Sequence, residues 1–207
     1  MIASCIAVLV VASLLARSEL SPTELRLFRA ANELPEGLNV VVTPFMQYGT
    51  FVTIPILAAT ALLFRRVRLA IAVLLAGVGV YLLALVTKQI VERGRPGALI
   101  VGVEERETFA EDSLGFPSGH AAVAAAITAV VAAHLSMRWT ILALVLGIVV
   151  LFGRIYVGAH LPLDVIGGAA LGAIAGSVVN LVVRPPTIAT GTSGDGGASA
   201  GRRRHLG

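Results

Sequence analysis

The chain has 207 residues, of which 57% are hydrophobic and 14% charged, against about 25% charged in an ordinary soluble domain. Mean hydropathy is +0.89 and the isoelectric point about 10.0. Too few polar residues remain to cover a water-facing surface, which excludes a soluble globular domain, a disordered chain and a nucleic-acid binder with a basic surface. The basicity is a small excess of 16 Lys and Arg, a single Lys among them, over 12 Asp and Glu.

A membrane-crossing helix needs roughly 20 mostly apolar residues, and six stretches are candidates. The first, residues 2–16, reads as a short anchor, with a signal-peptide core as the alternative. Its lone cysteine, Cys5, has no intramolecular partner and reads as a small packing residue. Residues 17–36 then mix both charges. Ser21-Pro22-Thr23-Glu24 has the form of a helix start, with Ser21 capping and Pro22 in the first helical position. Leu25, Leu27, Phe28 and Leu34 give this segment an apolar face, so a short helix on the membrane surface is expected, with a plain solvated helix as the alternative. The second apolar stretch, residues 38–64, contains Pro44, Gly49 and Pro55 and is expected to bend or to begin as an interfacial segment. The remaining four cover residues 69–90, 118–136, 139–156 and 163–183. In the last, Gly168, Gly172 and Gly176 recur every four residues, the spacing that lets helices pack closely within a bundle. The fold class expected is therefore an all-α polytopic membrane bundle of about six transmembrane helices with a short interfacial helix, over residues 1–186. Residues 187–207, rich in Gly, Ser, Thr and Ala and carrying Arg202, Arg203 and Arg204, read as a disordered basic cytoplasmic tail.

Charge sets the expected orientation. Five connections and two ends alternate between two sides of the membrane. One side collects eight Arg and one acidic residue, the other eight Lys or Arg and eleven acidic residues. Short loops weigh most in the positive-inside rule, so Arg65, Arg66 and Arg68 between two spans place their side, and both termini, in the cytoplasm. The other side then faces outward, in a bacterial-type plasma membrane.

Ionisable groups at membrane depth are costly and usually functional. Here they gather in three segments on the outward side. Lys88 and Arg95 are seven residues apart, about two turns along one helix face, and Gly94 and Pro96 are expected to end that helix so that Arg95 can swing over a site. In a chain that otherwise uses Arg, the one Lys points to a need for a compact charge. Pro117-Ser118-Gly119-His120 opens the fourth span: Ser118 suits a helix cap, and Gly119 lets backbone N–H groups approach an anion. Arg154, His160 and Asp164 join the last two spans, and Asp164 is near enough in sequence to accept a hydrogen bond from His160, leaving the other ring nitrogen as a nucleophile. Three cations, a cap hydroxyl and backbone donors fit a tetrahedral oxyanion such as phosphate. Two His suit a nucleophile and a general acid. Two alternatives compete. His120, His160 and Asp164 could ligate Zn²⁺, although three adjacent cations oppose a divalent ion. Each segment could also be a set of snorkelling interfacial anchors, a reading that their convergence on one face disfavours.

These segments, KQIVERGRP, PSGH and GRIYVGAHLPLD, resemble the three signature motifs of the type 2 phosphatidic acid phosphatase family, the lipid phosphate phosphatases. The resemblance covers about residues 69–181. It implies that His160 is the nucleophile and forms a phosphohistidine, that Asp164 orients it, and that His120 protonates the leaving group. It implies that Lys88, Arg95, Ser118, Gly119 and Arg154 bind the phosphoryl oxygens, with no metal or other cofactor. The implied partner is a membrane lipid phosphate or pyrophosphate (phosphatidic acid, phosphatidylglycerol phosphate or a polyprenyl phosphate or diphosphate) in the bilayer, and no nucleic acid. Gly153 stands where the family usually has Ser, which puts one phosphate contact in doubt. A carrier that only binds a phosphorylated lipid is the alternative from another class; it would need the cations but not a paired nucleophile.

Other marked residues have plainer readings. The loop around Glu104, Glu105, Glu107, Glu111 and Asp112 reads as a solvated acidic rim that could instead repel soluble anions or bind a cation. Phe152 and Tyr156 read as packing or interface residues, His134 as an interfacial residue far from the site, and His205 as part of the tail.

Overall fold

The computed structural model describes residues 1–108 and 113–183, which are helical with no β-strand among them. The expected tail, with Glu111 and Asp112, lies outside the described residues. The helices are α1 (Ile2–Ala16), α2 (Pro22–Asn32), α3 (Asn39–Met46), α4 (Thr53–Leu63), α5 (Val67–Val91), α6 (Pro96–Leu99), α7 (Gly119–His134), α8 (Met137–Tyr156) and α9 (Pro162–Val183). Among the described residues, α5, α8 and α9 are long and apolar enough to cross a membrane singly. A further candidate span is broken: α3 and its flanking turns meet α4 at 68°. The break falls between Gly49 and Thr53, within the stretch that the sequence marked for bending. Helices α1 and α7 are shorter apolar elements. Less than half of each long span is buried, and side chains such as Leu82, Val86 and Ile90 on α5 and Val145 and Ile148 on α8 point outward as a lipid-facing surface.

The centre of the bundle is the pair α7 and α9. A Cβ on Gly168 would strike the Ser118 carbonyl, one on Gly172 the Ala122 carbonyl, and one on Gly176 would come within 2.7 Å of the Ala126 carbonyl. The glycine stripe therefore lies directly on the α7 backbone, as the four-residue spacing foretold. The contacts run 118 with 168, 122 with 172 and 126 with 176, so the two helices are parallel and both N-termini open at one end. Val73, Ala76 and Val80 of α5 and Ile54 of α4 close the core against α7. Gly49 carries the bend against the first turn of α7, where a Cβ would sit 2.6 Å from the His120 carbonyl oxygen.

Helix α2 is present as predicted, and the Ser21 hydroxyl accepts from the Glu24 N–H at 3.1 Å. Its buried stripe differs from the expected apolar one. Glu24, Phe28 and Asn32, four residues apart, face the protein, while Leu27 is exposed. The helix packs on α8 and α9 through a largely polar face, because partners for that Glu and Asn wait there. Helix α1 packs along α9, burying Ala12 and Ala16 against Phe116 and Val91.

Gly172→Val forces the α7 and α9 backbones apart, and overpacking of this kind costs about 1–3 kcal/mol or more. A clear drop in the thermal unfolding midpoint in detergent is expected, whereas Val178→Ala on the exposed face of α9 should change stability by no more than about 0.5 kcal/mol.

Candidate active site

Backbone hydrogen bonds stitch the three motif segments together. Gly94 pairs with Leu114, and the Gly115 N–H donates to the Arg93 carbonyl at 2.6 Å. The Ser118 N–H donates to the Asp164 carbonyl at 2.9 Å. Side chains add to this: Lys88 Nζ donates to the carbonyls of Leu114 at 2.5 Å and Gly115 at 3.3 Å, and Arg95 Nη1 to that of Ala159 at 3.1 Å. The N-termini of α7 and α9, the C-terminus of α5 and the last turn of α8 therefore meet at one end of the bundle.

One expectation about the first segment is corrected. Lys88 and Arg95 do not share a helix face, because α5 stops at Val91, with Glu92 in a left-handed conformation (φ 53°). The helix ends three residues before Gly94. Lys88 stays in its last turn, and Arg95 caps the short α6 in extended backbone. The turn brings both cations to the site from different directions, and it aims Arg93, between them, inward.

Helix α7 begins as foreseen. Ser118 is fully buried, and its hydroxyl caps the helix, accepting from the Ala121 N–H at a long 3.5 Å. A Cβ on Gly119 would meet nothing within 4 Å, so open space adjoins this N-terminus. His120 is half-buried in the first turn, close enough to interact electrostatically with Arg154, His160 and Arg95.

His160 and Asp164 are both buried, at 2% and 0% exposure. Nδ1 of His160 faces Oδ2 of Asp164 at 3.6 Å, longer than the predicted hydrogen bond. The carboxylate is otherwise engaged. Its Oδ2 accepts from the Leu161 N–H at 2.9 Å, an acidic side chain in the first turn reaching back to the residue before the helix. Its Oδ1 accepts from Arg93 Nη1 at 2.9 Å. Burial holds the His160 imidazole well below the ordinary histidine range, and Arg154, Arg95 and Lys88 reinforce this against a weaker opposite pull from the Gly115 carbonyl. His160 is therefore neutral at neutral pH, the form that carries a nucleophilic lone pair.

Arg154 is buried and donates through Nη1 to Glu107 Oε2 at 2.7 Å. A carboxylate from the acidic loop thus occupies one phosphate-binding candidate, a pairing that the solvated-rim reading missed. The structure also explains Gly153. A Cβ there would lie 2.5 Å from Met46 Cγ and Sδ and 2.9 Å from Val42 Cγ1, so the position faces α3 in a packed contact and not the cationic cluster. The missing hydroxyl therefore costs the site no donor on that face.

Several residues escaped sequence reasoning. Arg93, not singled out in the sequence, is buried and forks onto Glu24, Nη1 to Oε1 at 3.0 Å and Nη2 to Oε2 at 2.7 Å. Arg106 stacks over Tyr156 at 4.3 Å and donates to the carbonyls of Asn32, Leu34 and Tyr156, tying the loop to α2 and α8. Tyr156 is fully buried, the packing role that was one of its two expected readings. His134 is buried at the far end of α7 with Nδ1 against the Val130 carbonyl at 3.0 Å. Among the described residues no three His, Cys, Asp or Glu side chains converge as a metal site would require.

Glu107→Gln removes the anion competing for Arg154 and should tighten binding of inorganic phosphate several-fold in titration calorimetry of the detergent-solubilised protein. Gly153→Ser should lower the thermal midpoint, an overpacking cost of about 1–3 kcal/mol, without tightening phosphate binding.

Comparison with known proteins agrees with this geometry. Residues 65–187, which carry all three segments, match the PAP2 superfamily. An undecaprenyl-diphosphatase from Sulfolobus acidocaldarius is 33% identical over 138 residues, 65% of this chain and 66% of that protein, so the chain spans just under two thirds of that relative's length. The crystal structure of Aquifex aeolicus LpxE superposes with a TM-score of 0.71 at 27% identity, covering 78% of this chain and 96% of that one. The first transmembrane PAP2 type phosphatidylglycerolphosphate phosphatase from Bacillus subtilis superposes with a TM-score of 0.74 at 24% identity over 87% and 94% of the two chains, a likeness of fold. The chain is thus an integral membrane protein that belongs to the PAP2 superfamily, the type 2 phosphatases its motifs resemble.

Proposed function

We propose that this chain hydrolyses a lipid phosphate or pyrophosphate at the outer membrane face, with residues 1–186 as the membrane-embedded catalytic unit. The observation that carries the reading is the meeting of a buried neutral histidine, His160, with Lys88, Arg95 and Arg154 at the open end of the α7–α9 pair. A binder needs the cations alone. A buried histidine facing a carboxylate beside them supplies a nucleophile.

In this reading the ring nitrogen of His160 turned away from Asp164 attacks phosphorus, and the P–O bond to the leaving group breaks. His120 gives its proton to the departing alkoxide or phosphate. It then takes a proton from water, whose oxygen attacks phosphorus and breaks the P–N bond, releasing phosphate and restoring His160. Lys88, Arg95, Arg154, the Ser118 hydroxyl and the Gly119 N–H hold the phosphoryl oxygens, the positioning and charge stabilisation that dominate phosphoryl transfer. Asp164 stabilises the positive charge that His160 gains on bonding to phosphorus. The site lies where α5 and α8 end and α9 begins, and a site at the end of apolar spans favours a lipid substrate. Phosphatidic acid, phosphatidylglycerol phosphate and polyprenyl phosphates all present the group the site reads. The undecaprenyl-diphosphatase relative makes a polyprenyl diphosphate the first to test.

The test is phosphate release from a panel of these lipids by the purified protein in detergent. His160→Ala should lower kcat by about 10³-fold or more, as loss of a nucleophile does in other hydrolases. Activity should survive EDTA, and vanadate should inhibit. Loss of activity in EDTA would sink the metal-free mechanism, and full activity in His160→Ala the nucleophile. Because burial and the neighbouring cations keep His160 neutral as pH falls through the usual histidine range, the His160-dependent acid loss of kcat/KM should fall below that range. For orientation, single cysteines replacing Val67 and Glu105, in a Cys5→Ala background, should react from the cytoplasmic and outer sides respectively; Glu105→Cys reacting only from the cytoplasmic side would invert the topology.

A further inference from the structure

A line of buried charge enters the site from α2. Glu24 is 5% exposed, Arg93 6% and Asp164 0%. Arg93 gives both terminal nitrogens to Glu24, and Nη1 also donates to Asp164 Oδ1 at 2.9 Å. Asp164 in turn faces His160 through its other oxygen. Glu24 Oε1 also accepts from the Leu163 N–H at 3.0 Å, so the same carboxylate fastens the first turn of α9.

We infer that Glu24 and Arg93 are positioning residues for catalysis, Arg93 holding the Asp164 carboxylate against His160 and Glu24 holding Arg93. The inference rests on the proposed roles of His160 and Asp164. Two physical arguments support it. First, the carboxylate of Asp164 is fixed at both oxygens, by Arg93 at one and by the Leu161 N–H at the other, so its direction toward His160 is set by Arg93 and not by His160 itself. Second, Arg93 alone would neutralise Asp164 and leave no net charge to stabilise a cationic imidazole. Glu24 returns one negative charge to the cluster. Glu24 lies ahead of residues 65–187, the region matched to the family. Helix α2 therefore takes part in the proposed chemistry and does not merely anchor the chain.

A double-mutant cycle on the full-length protein separates this role from simple docking of α2. It uses Glu24→Gln, Asp164→Asn and the two together, assayed on the fastest lipid of the panel, with folding checked by gel filtration and thermal midpoint. Glu24→Gln should lower kcat about tenfold with KM within about twofold, and should cost less than about twofold more once Asp164→Asn has removed its target. A structural role predicts the opposite, equal losses in both backgrounds. Additive losses, or an unchanged kcat in Glu24→Gln while Asp164→Asn is impaired, overturn the positioning role and leave the proposed function standing. Unimpaired Asp164→Asn and His160→Ala reject the proposed chemistry instead. If Glu24→Gln does not fold, Arg93→Lys decides by the same cycle. Lys keeps the charge but cannot fork between two carboxylates, so it should show the same dependence on Asp164.

Discussion

One guanidinium holds this site together. Removing an ion from water costs several kcal/mol even in a relaxed protein interior, and breaking a buried pair leaves that cost uncompensated. Arg93 meets it by spending its fork on two carboxylates at once, from α2 and α9. Burial alone would weaken its proton affinity, yet Glu24 and Asp164 outweigh burial and push it up. The three charges are therefore mutually dependent, and so are the elements that carry them: α2, the turn after α5, and the first turn of α9. Arg95, two residues on, shows the contrast. Burial and the nearby charge of Arg154 pull its proton affinity down, which marks a cation that an incoming anion would relieve.

The second constraint is backbone contact. Spans without large side chains between them can place two helix N-termini side by side, and here Gly168 and Gly172 lie on the carbonyls of Ser118 and Ala122. This contact sets His120 relative to Asp164, and the Ser118 N–H bond to the Asp164 carbonyl fixes the register. Precision comes from main chain, which does not change rotamer. Lys88 and Arg95 are held in the same way, against carbonyls of neighbouring segments.

The parts legible in the sequence were those written in local pattern. Hydropathy gave the apolar helices, though of the six expected spans three, or four with the bent pair, are long enough to cross among the described residues, while Pro44, Gly49 and Pro55 gave the bend, the glycine spacing the α7–α9 contact, and the three motifs the segments that converge. What stayed hidden depends on pairing across long separations. Glu24 looked like the third residue of a helix start, and it is, but its partner lies 69 residues away. The seven-residue spacing of Lys88 and Arg95 looked helical, and only the left-handed Glu92 reveals the turn. The four-residue spacing of His160 and Asp164 allowed a hydrogen bond, but spacing cannot show that Leu161 and Arg93 already hold the carboxylate. Gly153 looked like a lost donor because a motif names a residue type and not the direction in which its side chain points.

Charge counting links the Glu107 contact to the proposed chemistry. In the structure Lys88, Arg95 and Arg154 face Glu107 and the singly negative cluster of Glu24, Arg93 and Asp164, which leaves one formal positive charge around a neutral His160. A phosphoryl dianion added to this arrangement would leave the site negative. If it replaces the carboxylate at Arg154, the formal charges cancel. Substrate binding and departure of Glu107 are therefore favourable together and poor apart. A phosphoryl group brings more charge and more oxygens than a carboxylate, so it wins the exchange at a cluster of three cations, whereas a monoanion gains little. Within the proposed chemistry, Glu107 would sharpen selection for dianionic phosphate by competing for Arg154, to which it is bonded at 2.7 Å.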